Sequence, residues 1–530
     1  MKILQKLFIP FIGFGLIFIS FLPTITAYRQ TPPNHFFSGA HNYPHDYFIY
    51  LSYILNSKNG AITTTVKFTS EKQNGTFILH YYILGGKAAK IFNLSPSFTY
   101  HLMRFTAVLF LLFVSFLWIK EIFKTSFSKN MSFFLLVTAA SFPRFMWSES
   151  GWKIYPFFNW WTGTDILRSW TFIPHHVLAN AFTLLLLLIF AKYLKQNRLS
   201  IGLYFLSILS IIFLGLSSPI HLLVVLLTVG LTTIIILLKT RSWNKQLIVN
   251  LIIFFSISAI TLIYFLIAMQ QSPYKEANEW EKSQVISTPF IDYLASIGPI
   301  VILGFLGILI FFTARISNKA LVVLKIYIAV TLLLLITGLT RIFGANPIRL
   351  VEVSLILPFA IFATIFINSI KKISKIIIGI IVILIILNTY NSFKISLETE
   401  MAEKPSWAYN LYPDTTFLKS LYFLSQNTKP DEIVLVDPFM ADYIPAFAGN
   451  TVYVDNLINT LNFEKKLSEE QSFYKGEITN SQAINWIHEK NIKYVFWGLK
   501  EKEYNQNLVK TYSFLKPIFE RDYITIFSVD

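Results

Sequence analysis

One acidic residue near the start of the chain is a candidate catalytic group. Asp46 is the first acidic residue of the sequence and lies in the segment Asn42–Tyr50 (NYPHDYFIY). A carboxylate held at a membrane surface could accept a proton as a general base or bind a divalent cation such as Mg²⁺ or Mn²⁺. The alternative is a structural role, because Asp at a helix N-cap accepts hydrogen bonds from free backbone N–H groups. The scarcity of acidic residues around Asp46 favours the chemical role.

Histidines and carboxylates could complete a metal site with Asp46. Eight of the nine histidines lie within residues 1–391: His35, His41, His45, His80, His101, His175, His176 and His221. His175 and His176 precede an apolar run, and Glu149 and Asp165 come shortly before them. Imidazole and carboxylate groups are typical ligands of divalent metal ions. We therefore predict Asp46, Glu149, Asp165, His175 and His176 as metal ligands, with polar helix ends as the alternative interpretation of each histidine.

Three arginines are candidates for binding a phosphate group. Arg104 lies near the outer end of a predicted membrane span, and Arg341 and Arg349 flank the turn at residues 344–347. The positive-inside rule disfavours basic residues on the outer side, so an anionic partner would explain them. Arginine suits phosphate because its planar guanidinium group donates two parallel hydrogen bonds. The alternative is that these side chains extend to lipid headgroups.

Tryptophan is concentrated in one segment of the chain. Five of the eleven tryptophans lie within residues 147–176: Trp147, Trp152, Trp160, Trp161 and Trp170. Flat aromatic faces stack on sugar rings, so the cluster is compatible with carbohydrate binding. Tryptophan is also enriched where a membrane meets water, which explains the cluster equally well.

The composition indicates a membrane protein. Hydrophobic residues make up 54% of the 530 residues and charged residues only 14%, whereas soluble domains average about 25% charged residues. The net charge of +16 comes from the apolar part of the chain, since residues 392–530 are net acidic. This distribution is typical of basic membrane loops, so nucleic acid is not expected as a partner. The absence of cysteine excludes disulfides, thiolate metal sites and cysteine nucleophiles.

Eleven apolar runs predict membrane-spanning helices. They lie near residues 6–27, 102–119, 131–146, 177–194, 200–217, 221–239, 247–269, 291–313, 320–338, 350–370 and 375–391. The loops on one side are all basic, which predicts a cytoplasmic N-terminus and a multi-pass protein of the cytoplasmic membrane. Residues 1–391 then form the transmembrane domain, and the long loops 28–101 and 147–176 lie outside.

Residues 392–530 have the pattern of a small α/β domain. Segments 432–437 (EIVLVD), 451–455 (TVYVD), 493–497 (KYVFW) and 523–529 are predicted as strands, with helices over 459–474 and 479–491. The odd number of spans places this domain outside the cytoplasm. The domain has no glycine-rich phosphate loop and no nucleophile elbow, so the sequence predicts no soluble-enzyme chemistry in it.

Together these features resemble the GT-C superfamily of polytopic membrane glycosyltransferases over nearly the whole chain. The resemblance rests on the first span, on the following loop with Asp46-Tyr47 and two predicted surface helices, 46–57 and 79–93, and on the outer C-terminal domain. Residues 94–96 (LSP) and 100–104 (YHLMR) are similar to bacterial GT-C-like proteins. Many relatives have two adjacent acidic residues at the first position, whereas His45 precedes Asp46 here.

The resemblance implies transfer of a sugar from a polyprenyl-phosphate donor, with membrane lipids around the chain and a glycan, lipid or protein as acceptor. Asp46 would activate the acceptor, Arg104, Arg341 or Arg349 would bind the donor phosphate, and the anomeric centre would be inverted. We expect Asp46, one of the second-loop ligands and one of these arginines to line a single outer cleft. The alternatives are a transporter or lipid exporter without covalent chemistry and a catalytically inactive relative.

Overall fold

The computed structural model describes residues 2–40, 44–148, 151–157, 165–171, 173–240, 245–283, 289–313, 318–343, 345–370, 374–401 and 411–529. The first helices along the chain are α1 (Lys2–Arg29), α2 (Pro44–Lys58), α3 (His80–Ile91), α4 (Pro96–Ile122), α5 (Ser126–Val137), α6 (Ile166–Thr171), α7 (Pro174–Gln196), α8 (Ile201–Ser217), α9 (Pro219–Thr240), α10 (Lys245–Ala268) and α11 (Tyr274–Ser283). The later helices are α12 (Phe290–Ile297), α13 (Pro299–Thr313), α14 (Lys319–Thr337), α15 (Val353–Ile370), α16 (Lys375–Met401), α17 (Thr415–Asn427), α18 (Pro438–Ala441), α19 (Phe463–Lys475), α20 (Asn480–Glu489), α21 (Leu499–Tyr504) and α22 (Leu508–Thr511).

Among the described residues, eight helices are long and apolar enough to cross a membrane. They are α1, α4, α7, α9, α10, α14, α15 and α16, and a ninth span arises if the bent pair α12 and α13 counts as one. The two helices of this pair meet at 96°, because Gly298 has a φ of 81° and Pro299 cannot continue the preceding helix. The apolar helix α8 is shorter than the others.

The helix predicted over residues 131–146 is shorter in the structure. Helix α5 ends at Val137 and has 12 residues, which gives a length of only about 18 Å at 1.5 Å per residue. The chain then forms a hairpin of strands β1 (Pro143–Ser148) and β2 (Gly151–Pro156). Pro143 disfavours helix both at its own position and at the residue before it, so an apolar composition does not make this segment a helix.

The chain divides into two compact units that differ from the predicted boundary at residue 391. The membrane unit comprises Met1–Pro23, Met103–Leu266 and Glu281–Ala402. The sheet unit comprises Thr24–Leu102, Ile267–Trp280 and Glu403–Asp530. The first long loop therefore belongs to the same unit as the C-terminal domain.

The sheet unit is built around a five-stranded sheet. Its strands are β3 (Ile433–Leu435), β4 (Thr451–Val452), β5 (Ile492–Trp497), β6 (Lys516–Arg521) and β7 (Ile524–Ser528), in the order β4-β3-β5-β7-β6. Strands β4, β3 and β5 are parallel, and β7 and β6 continue the sheet antiparallel. The predicted small C-terminal α/β domain is confirmed, although β6 lies in a segment for which no strand was predicted.

Buried lysines attach the first long loop to this sheet. The Nζ atom of Lys67 donates to the carbonyl oxygens of Pro430 and Gly449, at 2.7 Å each. The backbone N–H of Val452 in β4 donates to the carbonyl of Lys67 at 3.0 Å, so the loop covers the edge of the sheet. Covered sheet edges present no unpaired backbone groups. This pairing is the physical reason that the loop and the C-terminal domain form one unit.

Candidate functional site

Asp46 lies in the first turn of α2 and is half-buried. Helix α2 begins at Pro44, so Asp46 is inside the helix rather than at its N-cap. A carboxylate in the first turn still interacts favourably with the partial positive charge of the helix N-terminus. The structure thus leaves Asp46 partly exposed to solvent and places it within the first helical turn.

The rest of α2 is held rigidly in the sheet unit. The hydroxyl of Tyr47 donates to the Oγ of Ser97 at 2.7 Å and approaches the carbonyl oxygen of Ser38 at 3.1 Å. Two turns further along, α2 packs closely on α3, where a side chain at Gly86 would lie 2.4 Å from the carbonyl oxygen of Ile54. These contacts at both ends of α2 hold the helix that carries Asp46.

Two buried aspartates of the C-terminal domain lie beside Asp46's neighbour. The Nδ1 atom of His45 is 2.5 Å from the Oδ2 atom of Asp442, which is 2% exposed. This hydrogen bond, together with the charge of Asp442, raises the pKa of His45. Burial and the nearby Asp442 raise the pKa of the Asp455 carboxyl well above its ordinary value. Sequence reasoning did not predict this contact, since nearly 400 residues separate His45 from Asp442.

The membrane unit contains a second polar cluster at the start of α7. His175 lies within the first turn of α7 and is 4% exposed. Its ring centroid is 4.3 Å from that of His176. One turn further on, the Nδ2 atom of Asn180 donates to the Oε2 atom of Glu352, and its Oδ1 atom accepts from the backbone N–H of Ser354 at 2.8 Å. Asn180 therefore joins α7 to the start of α15.

Glu352 is the residue of this cluster that sequence reasoning missed. It is 4% exposed, and the Nε2 atom of His221 lies 3.7 Å from its Oε2 atom. Glu352, Asn180 and His176 line one small pocket. An acidic residue inside the predicted span 350–370 is the signal that could have identified it, because ionisable groups at membrane depth are costly and most often functional.

Arg349 is the predicted arginine that lies closest to this cluster in sequence. The Nε and Nη2 atoms of Arg349 both donate to the Oε1 atom of Glu281, at 3.0 and 2.9 Å. Arg349 keeps about a third of its side chain exposed, at 30%. The arrangement is a guanidinium group that Glu281 orients and that is partly open to solvent.

The other two arginines are in different surroundings. Arg341 is exposed in a short 3₁₀ helix, Leu339–Phe343. Arg104 is fully buried in α4, with its guanidinium carbon 4.0 Å from the centroid of the Phe21 ring. A cation stacked on an aromatic ring is stabilised by the ring's electrons. Arg104 is thus packed among neighbouring side chains, whereas Arg341 and Arg349 are at least partly exposed; phosphate binding by each of the three arginines stays a prediction.

Asp165 is held by hydrogen bonds within the membrane unit. Its Oδ1 atom accepts from the backbone N–H of Arg168 at 2.8 Å, in α6. Its Oδ2 atom accepts from the hydroxyls of Ser392 and Ser396 in α16, at 2.8 and 2.5 Å. These contacts fasten α6 to α16 and use both carboxylate oxygens. They give Asp165 a structural role.

The predicted metal site does not assemble from the residues the structure describes. No group of three or more His, Cys, Asp and Glu side chains among them is arranged to hold a metal ion. Glu149 lies outside the described residues. Asp46 belongs to the sheet unit, whereas Asp165, His175 and His176 belong to the membrane unit. The divalent cation and the shared cleft stay predictions.

Known structures are similar to this chain over nearly its whole length. No family model matches the chain, and no curated protein matches it significantly in sequence. ArnT from Cupriavidus metallidurans bound to undecaprenyl phosphate is 11% identical, with a TM-score of 0.50, covering 98% of this chain and 97% of that one. The Archaeoglobus fulgidus oligosaccharyltransferase tethered to an acceptor peptide is 12% identical, with a TM-score of 0.54 and coverage of 97% and 72%.

A third similar structure has the same fold. The mycobacterial arabinofuranosyltransferase AftD is 10% identical, with a TM-score of 0.54, and this chain covers 40% of its length. All three proteins are GT-C glycosyltransferases. The predicted fold class, a polytopic α-helical GT-C-like protein with a small C-terminal α/β domain, is thereby confirmed.

Proposed function

We propose that this protein is a membrane glycosyltransferase that transfers a sugar from a polyprenyl-phosphate donor to an acceptor at the outer face of the cytoplasmic membrane. The observation that carries the proposal is the similarity to ArnT with undecaprenyl phosphate, which extends over 98% of this chain and 97% of that protein. A second similar structure, the archaeal oligosaccharyltransferase, is bound to a dolichol-phosphate and an inhibitory peptide. The acceptor is accordingly a glycan, lipid or protein.

In the proposed reaction, Asp46 is the general base. Its carboxylate accepts the proton of the acceptor hydroxyl while the hydroxyl oxygen attacks the anomeric carbon. The bond between this carbon and the phosphate oxygen breaks, and polyprenyl phosphate leaves with the bonding electrons. Attack opposite the leaving group inverts the anomeric centre. The half-buried position of Asp46 in a fixed helix supports this role, because a base must be both accessible and oriented.

Arg349 binds the donor phosphate in this proposal. A guanidinium group stabilises the negative charge that grows on the phosphate as the sugar departs. Glu281 orients the group through two hydrogen bonds to one carboxylate oxygen. Glu352, three residues later, supports Arg349 indirectly, because its bond to Asn180 holds this end of α15 against α7. Arg341 is a second, more exposed phosphate ligand.

The direct test is sugar transfer by the purified full-length protein in lipid nanodiscs. The protein is incubated with a panel of radiolabelled polyprenyl-phosphate sugars, and the release of polyprenyl phosphate is followed by thin-layer chromatography. We expect release from at least one donor by the wild-type protein and no release by Asp46→Asn. Consumption of none of the donors, with membranes of the source cell added as acceptor, would contradict the proposal.

The proposed orientation has its own test. A periplasmic reporter enzyme fused after Asp530 is expected to be active only outside the cytoplasm, and one inserted between α15 and α16 is expected to report the inside. Both expectations follow from the basic residues of the connecting loops. The opposite result for either fusion would contradict the orientation while leaving the fold unaffected.

A further inference from the structure

The hairpin of β1 and β2 has two faces of different chemistry. Its antiparallel register pairs Phe145 with Ile154 and Trp147 with Trp152. Residues directly opposite one another share a face of the hairpin, and alternate residues along each strand share it too. Phe145, Trp147, Trp152 and Ile154 therefore form one face, which we call the aromatic face. The other face carries the basic residues Arg144 and Lys153, together with Met146 and Tyr155.

The aromatic face is exposed despite its composition. Phe145 is 63% exposed, Trp147 69%, Trp152 70% and Ile154 45%. The rings of the two tryptophans meet edge to face, with centroids 5.5 Å apart. Large contiguous apolar surfaces of this kind mark sites of contact with a membrane or a partner. A two-stranded hairpin is also only marginally stable in water by itself, so a covering layer would stabilise it.

The position of the hairpin in the membrane unit indicates what covers its aromatic face. The Nδ2 atom of Asn388 in α16 donates to the carbonyl oxygen of Ser141 at 3.0 Å, two residues before β1. In α16 the apolar run 376–387 ends directly before Asn388, and polar residues follow. A spanning helix changes from apolar to polar residues where the hydrocarbon layer ends. The hairpin therefore leaves the helices at the level of the membrane–water boundary.

The side chains favour lipid over carbohydrate as the occupant. A carbohydrate site places hydrogen-bonding groups beside its aromatic rings, whereas the only polar atoms of the four side chains on the aromatic face are the two indole N–H groups. Indole rings with one polar edge are enriched at bilayer interfaces. Arg144 and Lys153 on the opposite face complement the phosphate groups of lipid headgroups. Both faces of the hairpin thus fit the interfacial region of a bilayer.

We propose that the β1–β2 hairpin is an interfacial membrane anchor, with its aromatic face in the acyl-chain boundary of the lipid bilayer and Arg144 and Lys153 among the headgroups. This proposal does not depend on the enzymatic activity. It also gives the tryptophans Trp147 and Trp152 a function other than binding a sugar.

The absence of cysteine in the sequence allows a direct test with single-cysteine variants of the full-length protein. Ile154→Cys reports the aromatic face, and its neighbour Lys153→Cys reports the opposite face. Each variant is labelled with the environment-sensitive fluorophore NBD and reconstituted into phosphatidylethanolamine–phosphatidylglycerol vesicles. Quenching is measured with doxyl-labelled phosphatidylcholine from the lipid side and with iodide from the water side. The pair Phe145→Cys and Arg144→Cys repeats the comparison if Ile154→Cys fails to fold.

We expect doxyl lipid to quench the label at position 154 about twofold more than the label at 153, because an interfacial segment buries only its apolar side. Iodide should show the reverse order. Ile383→Cys on α16, 57% exposed, is the positive control for lipid contact, and Asp431→Cys, 97% exposed, is the control for water.

Three results would contradict the proposal that the hairpin is a membrane anchor. Equal iodide quenching at 153 and 154 would place the aromatic face in water. Protection of position 154 from both quenchers would indicate a protein partner or a second copy of the chain. Protection from iodide that requires an added oligosaccharide would assign the face to carbohydrate.

Discussion

The membrane unit and the sheet unit bury their acidic side chains in different ways. In the membrane unit, Asp165 accepts hydrogen bonds from one backbone N–H and two hydroxyls, and Glu352 accepts from Asn180. In the sheet unit, Glu470 is 0% exposed, and neither of its carboxyl oxygens has a hydrogen-bond partner among the described residues. Its neighbours include two further acids, Asp437 and Glu501.

The difference shows how each environment controls charge. Away from water, a carboxylate needs a donor for each oxygen, and the membrane unit provides donors from neighbouring helices. In the sheet unit, Glu470 has no such donor among the described residues, and burial raises its pKa to about 10, so protonation removes the charge. We therefore expect the membrane unit to depend on particular donors and the sheet unit to depend on pH.

Asp46 belongs to neither pattern, because it is only half-buried. Its substitution should have the largest effect of those considered, and this effect is on the rate of sugar transfer. We expect Asp46→Asn to lower the transfer rate by about 10²-fold or more, the typical contribution of a general base. The free energy of unfolding should change by less than about 1 kcal/mol, the value of a charge near a helix N-terminus. Initial rates of donor consumption and thermal unfolding in nanodiscs measure the two effects.

Asp431→Asn is the matched control for this substitution, since Asp431 is an almost fully exposed acid of the same unit. It should retain the wild-type rate. Full transfer activity in Asp46→Asn would show that this carboxylate is not the base.

Asp165→Asn tests the donor-dependent membrane unit. The amide presents one oxygen instead of two, so the hydroxyls of Ser392 and Ser396 or the N–H of Arg168 lose an acceptor. We expect the free energy of unfolding to fall by about 2 kcal/mol, the cost of leaving such a group unpaired. Thermal unfolding by circular dichroism checks this, and Ser392→Ala should show a smaller loss. If Mn²⁺ raises the unfolding temperature of the wild-type protein but not that of Asp165→Asn, the result would instead support the predicted metal role of Asp165.

Arg349→Lys tests the phosphate-binding assignment. Lysine keeps the charge but cannot make the two bonds to Glu281, so the donor phosphate loses an oriented partner. We expect KM for the donor to rise about tenfold, equivalent to about 1.4 kcal/mol, with a smaller change in kcat. Donor titrations give both constants, and the exposed Arg341→Lys is the control with the weaker expected effect. An unchanged KM in Arg349→Lys would assign the phosphate to other residues.

Glu470→Gln tests the pH dependence of the sheet unit and should have the smallest effect. Folding raises the pKa of Glu470 from 4.5 to about 10. Below the pKa of the unfolded chain, the side chain is protonated in both states and does not lower the free energy of unfolding. As the pH rises from there toward the folded pKa, the free energy of unfolding falls. The glutamine variant avoids that loss, so at pH 8 we expect it to be more stable than the wild-type protein.

The measurement is the unfolding temperature of the full chain from pH 5 to pH 9, followed by fluorescence of the sheet unit. Variant and wild-type protein should converge at the acidic end, where both carry a neutral side chain. Glu464→Gln, at the exposed start of α19, is the control. A difference that is constant over the pH range would show that Glu470 is not the titrating group.

Local patterns in the sequence were sufficient for the helical and strand framework. Spans such as α7 and α14 follow from runs of apolar residues, because burial of backbone groups in lipid permits little except a helix. Strands β3 and β5 follow from short apolar runs bounded by charged residues. The difference at residues 131–146 has the same origin, since hydropathy does not distinguish a spanning helix from a short helix and an apolar hairpin.

The chemistry of individual side chains was decided by the tertiary structure. Asp165 and Arg104 are typical of ligand-binding residues in sequence, and only the tertiary structure shows that Asp165 contacts Ser392 and Ser396 and that Arg104 stacks on Phe21. The sequence alone determined where apolar segments and charges lie, since these depend on neighbours along the chain. The surroundings of a carboxylate depend on residues that are hundreds of positions away in sequence, as in the contact of His45 with Asp442. Only the tertiary structure decides whether it lies beside a hydrogen-bond donor, another acid or solvent, because neighbours in space set the energy of a side chain.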